Sequence, residues 1–380
     1  MKVVFLCGSL EPGHDGVGDY TRLLALEIIK QGHQCYVIAL NDKYIQEPGK
    51  ERQNVGADSV EVMRLPQADK LQENIKVART WIDEIDPEWI SLQFVLFSFH
   101  IKGLPFNLNK ALALLGKRRW HIMFHELWVG AANKTTTKLL VWGYVQRQII
   151  KGIVRALKPE ILHTQTKLYQ MELLEYGLRA KYLPLFSNIP VHSTVIPNKA
   201  AATDKKNIRF VIFGSIHPDA PVESFTNELA NYAKKHNAEI TLNIIGRSGE
   251  QQKLWETIWS QKGLNVVVLG ERSPESISEI MSTSSIGIST TPIYLAEKSG
   301  SIAAMIAHGL PVVCVSKAFK VRTRTKVTFP GGLMEYKSGI LEDYLNGDWG
   351  GPIIHTVADV SREFVNSLVV KEEMENSSII

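Results

Sequence analysis

Residues 3–21 read VVFLCGSLEPGHDGVGDYT, and this stretch decides the fold. The apolar run Val3 to Cys7 has the length of a buried strand, and it leads into a loop with four glycines in eleven residues. A helix is predicted next, because Tyr20, Leu24 and Ile28 recur at the spacing of one helical face. Such a unit is typical of a parallel sheet covered by helices. Glycines allow close backbone approach, and free amides at a helix start favour an anion such as phosphate.

Strand-helix units of this kind repeat along the chain in two series. The first series has predicted strands at Val3 to Cys7, Cys35 to Leu40, Trp89 to Phe94, His121 to Phe124 and Ile161 to Thr164. The second has predicted strands at Ile208 to Phe213, Glu239 to Ile245, Asn265 to Leu269, Ile286 to Ser289 and Pro311 to Val315. The pattern predicts an α/β protein of two Rossmann-like, doubly wound domains that face an interdomain cleft.

A chain of 380 residues also exceeds what one hydrophobic core usually organises. The polar segment Asn198 to Lys206 has little to bury and is the predicted linker. We therefore expect an N-terminal domain over 1–198, a C-terminal domain over 199–356, and a helix and tail over 357–380. That last helix could pack on either domain, including back on the first.

The composition excludes several classes of protein. No window approaches 18 consecutive apolar residues, which argues against a membrane-spanning helix. A net charge of +4 is too mild for a nucleic-acid partner. The N-terminal apolar run lacks the cleavage site of a secretion signal, so a cytoplasmic protein is expected. Cys7, Cys35 and Cys314 are therefore expected to be reduced structural thiols.

Two basic runs bear on a membrane partner. They are Lys117 to Arg119 and the alternating cations between Lys317 and Lys326. Either run could meet anionic lipid headgroups and hold the protein peripherally at the inner face of a membrane. An ordinary solvated surface is the favoured interpretation of such charge runs.

The glycine loop has a competing interpretation as a dinucleotide site. Gly16, Gly18 and Thr21, with Asp42 after the second strand, resemble a fingerprint in which the acid holds a ribose. That fingerprint places its first glycine directly after the strand, whereas Gly16 stands eight residues beyond Gly8. The match is weak, and a wider loop facing the cleft is favoured.

A histidine marks the end of another predicted strand. His125 follows the strand His121 to Phe124, at the edge where open parallel sheets present ligands. It could hydrogen-bond a substrate or hold a transferring sugar, and a structural role is the alternative. A zinc pair with His121 is rejected, because four residues of strand span about 13 Å. The chain contains no Asp-x-Asp for a donor-bound metal, so a metal-independent mechanism is favoured.

The C-terminal half contains the densest group of candidate ligands. Lys298, Ser299, Gly300 and Ser301 precede a predicted helix, so an ammonium, hydroxyls and free amides would converge on a diphosphate. A serine helix cap beside a solvated lysine is the alternative. The neighbouring strand ends supply Gly214 and Ser215, Arg247 for phosphate, and Glu271 or Glu297 for ribose hydroxyls.

Three motifs resemble those of a known family. They are Gly16-Val17-Gly18-Asp19-Tyr20-Thr21, Phe124-His125-Glu126, and Ala307-His308-Gly309-Leu310-Pro311-Val312-Val313. In order and spacing they resemble retaining glycosyltransferases of the GT-B fold, especially glycosyltransferase family four. The resemblance extends over nearly the whole chain.

The resemblance implies a nucleotide-sugar donor in the C-terminal domain and an acceptor in the N-terminal domain. Gly16 and Gly18 would face the donor phosphate or the acceptor, and His125 would touch the reacting sugar. The acceptor side would include Asp19, Tyr20, Glu126 and Trp128. The departing phosphate would deprotonate the acceptor, so no carboxylate base and no cofactor are expected.

Two departures from the family pattern affect the donor site. Aligned on Gly309, the two glutamates of the family's Glu-x7-Glu motif fall on Ala296 and Ala304, with Glu297 one residue away. The arginine and lysine that follow the family's first C-terminal strand are also missing after Gly214. Lys298 and Arg247 are candidate replacements for the lost positive charge, with Lys298 predicted to be catalytic alongside His125.

Together these observations predict a metal-independent, retaining hexosyltransferase acting on a glycan, lipid-linked or small-molecule acceptor, as in polysaccharide biosynthesis. The missing glutamate pair keeps open an alternative, a catalytically silent GT-B subunit that binds a nucleotide or a partner. An oxidoreductase is a more distant third interpretation.

Overall fold

The computed structural model describes residues 1–68, 71–130, 135–191, 205–321, 328–347, 351 and 353–376. The chain divides into two units, which are described separately. The first comprises Met1–Pro184, Val321–Thr323 and Val357–Ile380, and the second comprises Leu185–Lys320 and Arg324–Thr356. The division after Pro184 lies before the predicted boundary near residue 200, and most of the predicted linker lies outside the described residues.

The first unit is built on an eight-stranded sheet. Its strands are β1 (Lys2–Cys7), β2 (Gln34–Asp42), β3 (Gly49–Val55), β4 (Asp58–Pro66), β5 (Trp89–Phe94), β6 (Arg119–Phe124), β7 (Ile161–Thr164) and β8 (Lys181–Tyr182). Its helices are α1 (Gly16–Lys30), α2 (Leu71–Ile85), α3 (Leu96–Phe99), α4 (Leu108–Ala113), α5 (Thr137–Leu157) and α6 (Lys167–Glu175).

The strand order of this sheet defines where a ligand would bind. The order is β3-β4-β2-β1-β5-β6-β7-β8, with only β3 and β4 antiparallel. The chain winds in one direction from β1 to β2 and in the other from β5 onward, so the order reverses between β1 and β5. Doubly wound sheets bind ligands at such a switch point, beyond the carboxyl ends of the strands.

The β3–β4 hairpin was not predicted from the sequence. Strand β3 (Gly49–Val55) is an edge strand, and Gln53 is the one residue of it that is buried. It therefore lacks the apolar run by which the predicted strands were recognised. The strands Asp58–Pro66, Lys181–Tyr182 and Leu333–Glu335 were also not predicted.

The second unit is built on a six-stranded, wholly parallel sheet. Its strands are β9 (Asn207–Phe213), β10 (Glu239–Ile245), β11 (Asn265–Gly270), β12 (Ile286–Ser289), β13 (Val312–Cys314) and β14 (Leu333–Glu335). Its helices are α7 (Val222–His236), α8 (Gln252–Gln261), α9 (Pro274–Ser282), a 3-10 helix (Ile293–Lys298), α10 (Gly300–Ala307) and α11 (Leu341–Asn346).

Both faces of this second sheet are buried. Phe210 and Ile212 of β9 belong to one apolar cluster, and Val211 between them belongs to another. Side chains of a strand alternate between faces, so one continuous apolar run supplies both cores. The order β11-β10-β9-β12-β13-β14 reverses between β9 and β12. The predicted α/β class with two doubly wound sheets is confirmed.

Helix α12 (Val357–Asn376) packs on the first unit. The ring of Phe364 lies 5.7 Å from that of Phe5 in β1. Gln31 at the end of α1 donates a hydrogen bond of 2.6 Å to Ser361. The C-terminal helix thus covers one face of the first sheet.

Candidate functional site

The switch point of the second sheet brings two of the predicted donor residues together. Gly214 follows β9 with φ +83°, and a Cβ placed on it would lie 2.9 Å from the Oγ of Ser301. A residue with a side chain would be strained there and would collide with the start of α10. Glycine therefore lets the loop after β9 lie against this helix.

Hydrogen bonds connect the loops along this edge of the sheet. The Gly214 amide donates to the Ile245 carbonyl at 2.9 Å. The His217 amide donates to Thr290 Oγ1 at 2.8 Å, and the Ile216 amide donates to the Ser248 carbonyl at 3.0 Å. The loops after β9, β10 and β12 thus form one connected edge around Ser215.

The first turn of α10 lies at the same edge. Ser299 is its N-cap, and the Ser299 hydroxyl accepts a hydrogen bond from the Ile302 amide at 3.4 Å. Gly300 and Ser301 head the helix, where backbone amides have no partner inside the helix. A neutral hydroxyl caps the helix, so its positive end can still favour an anion. Glu297 and Lys298 end the 3-10 helix just before it.

Arg247 and Glu271 form an ion pair beside this edge. The Arg247 Nε atom lies 3.1 Å from a Glu271 carboxylate oxygen, and both side chains are more than half exposed. They leave the ends of neighbouring strands β10 and β11. A phosphate bound by Arg247 would compete with Glu271 for the guanidinium group.

The two positions onto which the resemblance aligns the family's glutamates lie in the core. Ala296 and Ala304 are 1% and 0% exposed and belong to an apolar cluster with Ile302 and Met305. An unpaired carboxylate at either position would be costly in such surroundings. Neither position supplies a ribose contact in this chain.

The glycine loop of the first unit is organised differently. Asp15 caps α1, and its carboxylate accepts a hydrogen bond from the Gly18 amide at 2.7 Å. A Cβ placed on Gly18 would lie 2.5 Å from the Ser9 carbonyl oxygen, whereas Gly16 has open space around it. Gly18 is therefore required for packing of the helix on its own loop. The positive end of α1 already has an anionic partner in Asp15.

Asp42 closes this loop. Its carboxylate accepts hydrogen bonds from the Leu10 amide at 3.1 Å, Ser9 Oγ at 3.0 Å and Arg64 Nε at 2.8 Å. Burial alone would raise the pKa of Asp42, but the bonds from Arg64, Leu10, Tyr44 and Ser9 outweigh it and lower the pKa. Asp42 therefore holds the loop, and the dinucleotide interpretation loses its ribose contact.

Asp19 and Tyr20 lie on the first turns of α1. Asp19 Oδ1 accepts from Arg22 Nη1 at 2.8 Å and from the Gly13 amide at 3.1 Å. Tyr20 is 1% exposed, and its ring meets that of His125 edge-on at 5.0 Å. Both residues thus contribute to the packing around the loop.

His125 follows β6 and is almost fully buried. Its Nε2 atom lies 2.8 Å from Gln93 Oε1, and 4% of the residue is exposed. Burial lowers the pKa of His125 to about 4, against an opposing hydrogen bond with Gln165. The imidazole is therefore neutral near neutral pH and can donate or accept a hydrogen bond.

Glu126 and Trp128 extend from the same strand end. Glu126 is partly exposed. Trp128 is 8% exposed, and its Nε1 donates to Glu172 at 3.1 Å. The Arg147 guanidinium lies 5.6 Å from the Trp128 ring centroid. Most of the Trp128 surface is thus taken up by neighbouring side chains.

Gln93 is a site residue that the sequence analysis missed. It joins His125 to Ser91 two residues earlier in β5, and both Ser91 and Gln93 are buried. The signal was two polar residues on one face of an otherwise apolar strand, Trp89–Phe94.

The basic runs are partly neutralised within the chain. Arg118 pairs with Asp83 at 2.6 Å and Arg119 with Glu160 at 3.0 Å. Lys317 pairs with Asp219 at 2.7 Å. Arg322, Arg324 and Lys326 lie outside the described residues. In the part of the chain that the structure describes, no helix combines the length and apolarity needed to cross a membrane.

Comparison with known proteins identifies the fold. No protein-family model and no curated protein sequence matches the chain. Among solved structures, HepE from Anabaena in complex with UDP and glucose is similar over 100% of both chains, at 16% identity and TM-score 0.56. WaaG, a glycosyltransferase involved in lipopolysaccharide biosynthesis, is similar over 95% of this chain and 93% of its own, at 14% identity and TM-score 0.52.

An enzyme of another class shares the same architecture. A UDP-N-acetylglucosamine 2-epimerase from Listeria monocytogenes is similar over 98% of this chain and 97% of its own, at 10% identity and TM-score 0.55. The chain therefore has the GT-B fold of glycosyltransferases and of such epimerases. At these identities the likeness establishes the fold alone, and membership of glycosyltransferase family four stays a prediction.

Proposed function

We propose that the chain is a glycosyltransferase that moves a hexose from a nucleotide-diphosphate sugar to a glycan, lipid-linked or small-molecule acceptor. The observation that carries this proposal is the edge of the second sheet. There Gly214 lies against Ser301, and the neutral Ser299 hydroxyl caps the helix that begins at Gly300. This is the geometry that binds phosphate groups at the end of a parallel sheet.

The donor would be held by backbone amides and a few side chains of the second unit. The amides of Gly300 and Ser301, with Lys298 beside them, would bind the diphosphate. Arg247 would exchange its bond to Glu271 for a bond to phosphate, which frees the Glu271 carboxylate for ribose hydroxyls. Glu297 is the other candidate for the ribose.

The transfer step would occur with retention and without a metal. The chain has no Asp-x-Asp motif to hold a donor-bound metal. The departing phosphate would take the proton of the acceptor hydroxyl as the new glycosidic bond forms. His125 would lie beside the reacting sugar as a neutral hydrogen-bonding group, and the partly exposed Asp19 and Glu126 would line the acceptor side, with the buried Tyr20 and Trp128 packed behind them.

A second candidate function is a binding subunit without transferase activity. It is favoured by Ala296 and Ala304, whose buried side chains replace the glutamate pair. It predicts nucleotide binding without any turnover.

The test combines binding with product analysis. The free energy of unfolding would be measured with UDP, GDP, ADP or dTDP, each in the presence of EDTA so that binding is tested without a metal. A ligand at 100 times its Kd raises this free energy by about 2.7 kcal/mol. Lys298→Ala should lower affinity about tenfold, the loss of one charged contact. The matched control is Lys253→Ala, an 84% exposed lysine of α8. Unchanged affinity in Lys298→Ala would remove that residue from the site.

Incubation with the matching nucleotide sugar and a set of acceptors then separates the candidates. A glycosylated acceptor, detected by mass spectrometry, supports the transferase, and NMR of its anomeric proton tests retention. Binding without turnover supports the silent subunit, and an epimerised nucleotide sugar would assign the chain to the epimerase class. Failure of every nucleotide to bind would contradict the proposal.

A further inference from the structure

A continuous chain of five buried polar side chains runs through the first unit from the candidate site. Its members, in order, are His125, Gln93, Ser91, His121 and His163. The successive distances are 2.8 Å from His125 Nε2 to Gln93 Oε1, 2.7 Å from Gln93 Nε2 to Ser91 Oγ, 2.8 Å from Ser91 Oγ to His121 Nδ1, and 3.0 Å from His121 Nε2 to His163 Nδ1. Each member is at most 4% exposed.

The register of three neighbouring strands produces this chain. Ser91 of β5 pairs with His121 of β6, and Met123 of β6 pairs with His163 of β7. Alternation along each strand puts Ser91 and Gln93 on one face, together with His121 and His125. Polar residues separated by two positions along each strand therefore lie next to one another across the parallel neighbouring strands and form a single row.

The row has a direction, because Gln93, Ser91 and His121 each donate one hydrogen bond and accept one within it. The Gln93 amide group donates to Ser91 Oγ, so the single hydroxyl hydrogen of Ser91 must go to His121 Nδ1. His121 is then protonated on Nε2, from which it donates to His163 Nδ1. At the other end, Gln93 Oε1 can only accept, so this bond requires a hydrogen on His125 Nε2, and Gln165 is the second side-chain hydrogen-bond partner of His125.

The surroundings keep the three imidazoles neutral. Burial, and then the neighbouring His163 and His125, lower the pKa of His121 well below its ordinary value. Burial, and then Lys181, lower the pKa of His163 to about 3. Phe364 of α12 covers the far end, with its ring 5.0 Å from that of His121 and 6.4 Å from that of His163. A proton added to either imidazole would break a bond of the row.

We propose that Gln93 is a positioning residue that fixes His125 as its Nε2–H tautomer, and that Ser91 and His121 fix the orientation of the Gln93 amide. The hydrogen-bond partners of the two ring nitrogens determine which nitrogen of a neutral imidazole carries the proton. Residues that make these bonds also orient the imidazole that contacts a ligand. The consequence for catalysis rests on the proposed function, in which His125 touches the reacting sugar. The tautomer itself does not depend on that function.

The experiment is long-range 1H–15N NMR on the full chain with labelled histidine, which distinguishes the two neutral tautomers. In the wild type, His125, His121 and His163 should all be protonated on Nε2 at neutral pH. An Nδ1–H tautomer of His125 would overturn the proposal.

Three variants separate positioning from packing. In Gln93→Leu, His125 loses its acceptor and should become a mixture of tautomers. Gln93→Glu keeps an acceptor and should keep His125 on Nε2. Ser91→Ala, which leaves the bond from His125 to Gln93 in place, should change the tautomer of His121 and covers the case in which Gln93→Leu does not fold. An unchanged His125 in Gln93→Leu, or an unchanged His121 in Ser91→Ala, would contradict the proposal.

Ser278→Ala is the matched control, because it removes another buried serine–histidine bond, 2.8 Å from Ser278 Oγ to His308 Nε2 in the second unit. It should leave the signals of His125 and His121 unchanged, and a shift there would overturn the proposed direct chain.

If the wild type transfers sugar, Gln93→Leu should lower kcat about tenfold to a hundredfold with little change in KM, and Gln93→Glu should retain most of the activity. Wild-type kcat in Gln93→Leu would remove the catalytic role. If the tautomers are those expected but the protein transfers no sugar, the proposed function is contradicted and the tautomer proposal stands.

Discussion

The two switch points of this protein share a topology and differ in what occupies them. In the first unit, the start of α1 carries the Asp15 carboxylate, and Asp42 with Arg64 holds the loop closed. In the second unit, the side chain that caps α10 is the neutral hydroxyl of Ser299. A helix N-terminus with its own carboxylate has little left to offer a phosphate, whereas one with a neutral cap keeps its positive end. This difference supports the proposal that the nucleotide binds to the second unit.

The largest expected effect is on the stability of the first switch point. Asp42→Asn removes the charge that faces Arg64 in a buried pair, which typically costs about 3 kcal/mol. Chemical denaturation should show this loss, while nucleotide affinity stays within about twofold. A protein of wild-type stability would show that Asp42 does not hold the loop.

The loss of stability in Asp42→Asn should also depend on pH. The folded pKa of Asp42 is lowered, so its stabilisation is present above the pKa of an unfolded aspartate and is lost as the pH falls through the folded value. The stability difference between wild type and Asp42→Asn should therefore shrink in acid. A difference that persists unchanged through that range would contradict the account.

The next effect distinguishes the roles of the two close-contact glycines. Gly18→Ala brings a Cβ within 2.5 Å of the Ser9 carbonyl oxygen and should cost about 1–3 kcal/mol by overpacking. Nucleotide affinity of the folded fraction should not change. A loss of nucleotide affinity comparable to the loss of stability would indicate that the phosphate binds to the first unit.

Gly214→Ala is the corresponding change in the second unit. Its φ of +83° and the 2.9 Å approach to Ser301 should strain the loop and weaken nucleotide binding about tenfold. Calorimetric titration checks this, with Gly263→Ala as a control, because Gly263 also has a positive φ of +72°, has no atom within 4 Å of a Cβ placed there, and precedes the amino end of β11, away from this edge. Equal affinities in Gly214→Ala and wild type would show that the edge at Gly214 does not face the nucleotide.

The smallest effect is expected at the exposed ion pair. Arg247→Ala should leave stability within about 1 kcal/mol, since exposed pairs contribute little. It should weaken binding only if the guanidinium transfers from Glu271 to phosphate. Binding that is stronger in Glu271→Ala than in wild type would support that exchange, and weaker binding would place Glu271 on the ribose.

The strands were predictable because their signal is local. The strand predicted at Val3 to Cys7 is observed as Lys2–Cys7, and the strand predicted at Glu239 to Ile245 is observed with the same bounds. Apolar continuity suffices for a strand buried on both faces. The edge strand Gly49–Val55 was missed because its side chains other than Gln53 are exposed and form no such run.

The contents of the sites were less predictable because they depend on contacts distant in sequence. Gly18 was predicted to face a ligand, but a glycine permits close approach of its own chain equally well, and the Ser9 carbonyl takes that place. The bond from His125 to Gln93 joins two strands 32 residues apart, and no local pattern specifies it. The ion pair of Arg247 and Glu271 likewise joins two loops whose adjacency follows only from the strand order.

The most direct test of the central comparison is hydrogen–deuterium exchange of the full chain with and without the nucleoside diphosphate that stabilises it. The account predicts slower exchange at residues 214–217 and 299–303 of the second unit, and unchanged exchange at residues 13–19 of the first. Protection confined to residues 13–19 would contradict it and would place the phosphate on the glycine loop after β1.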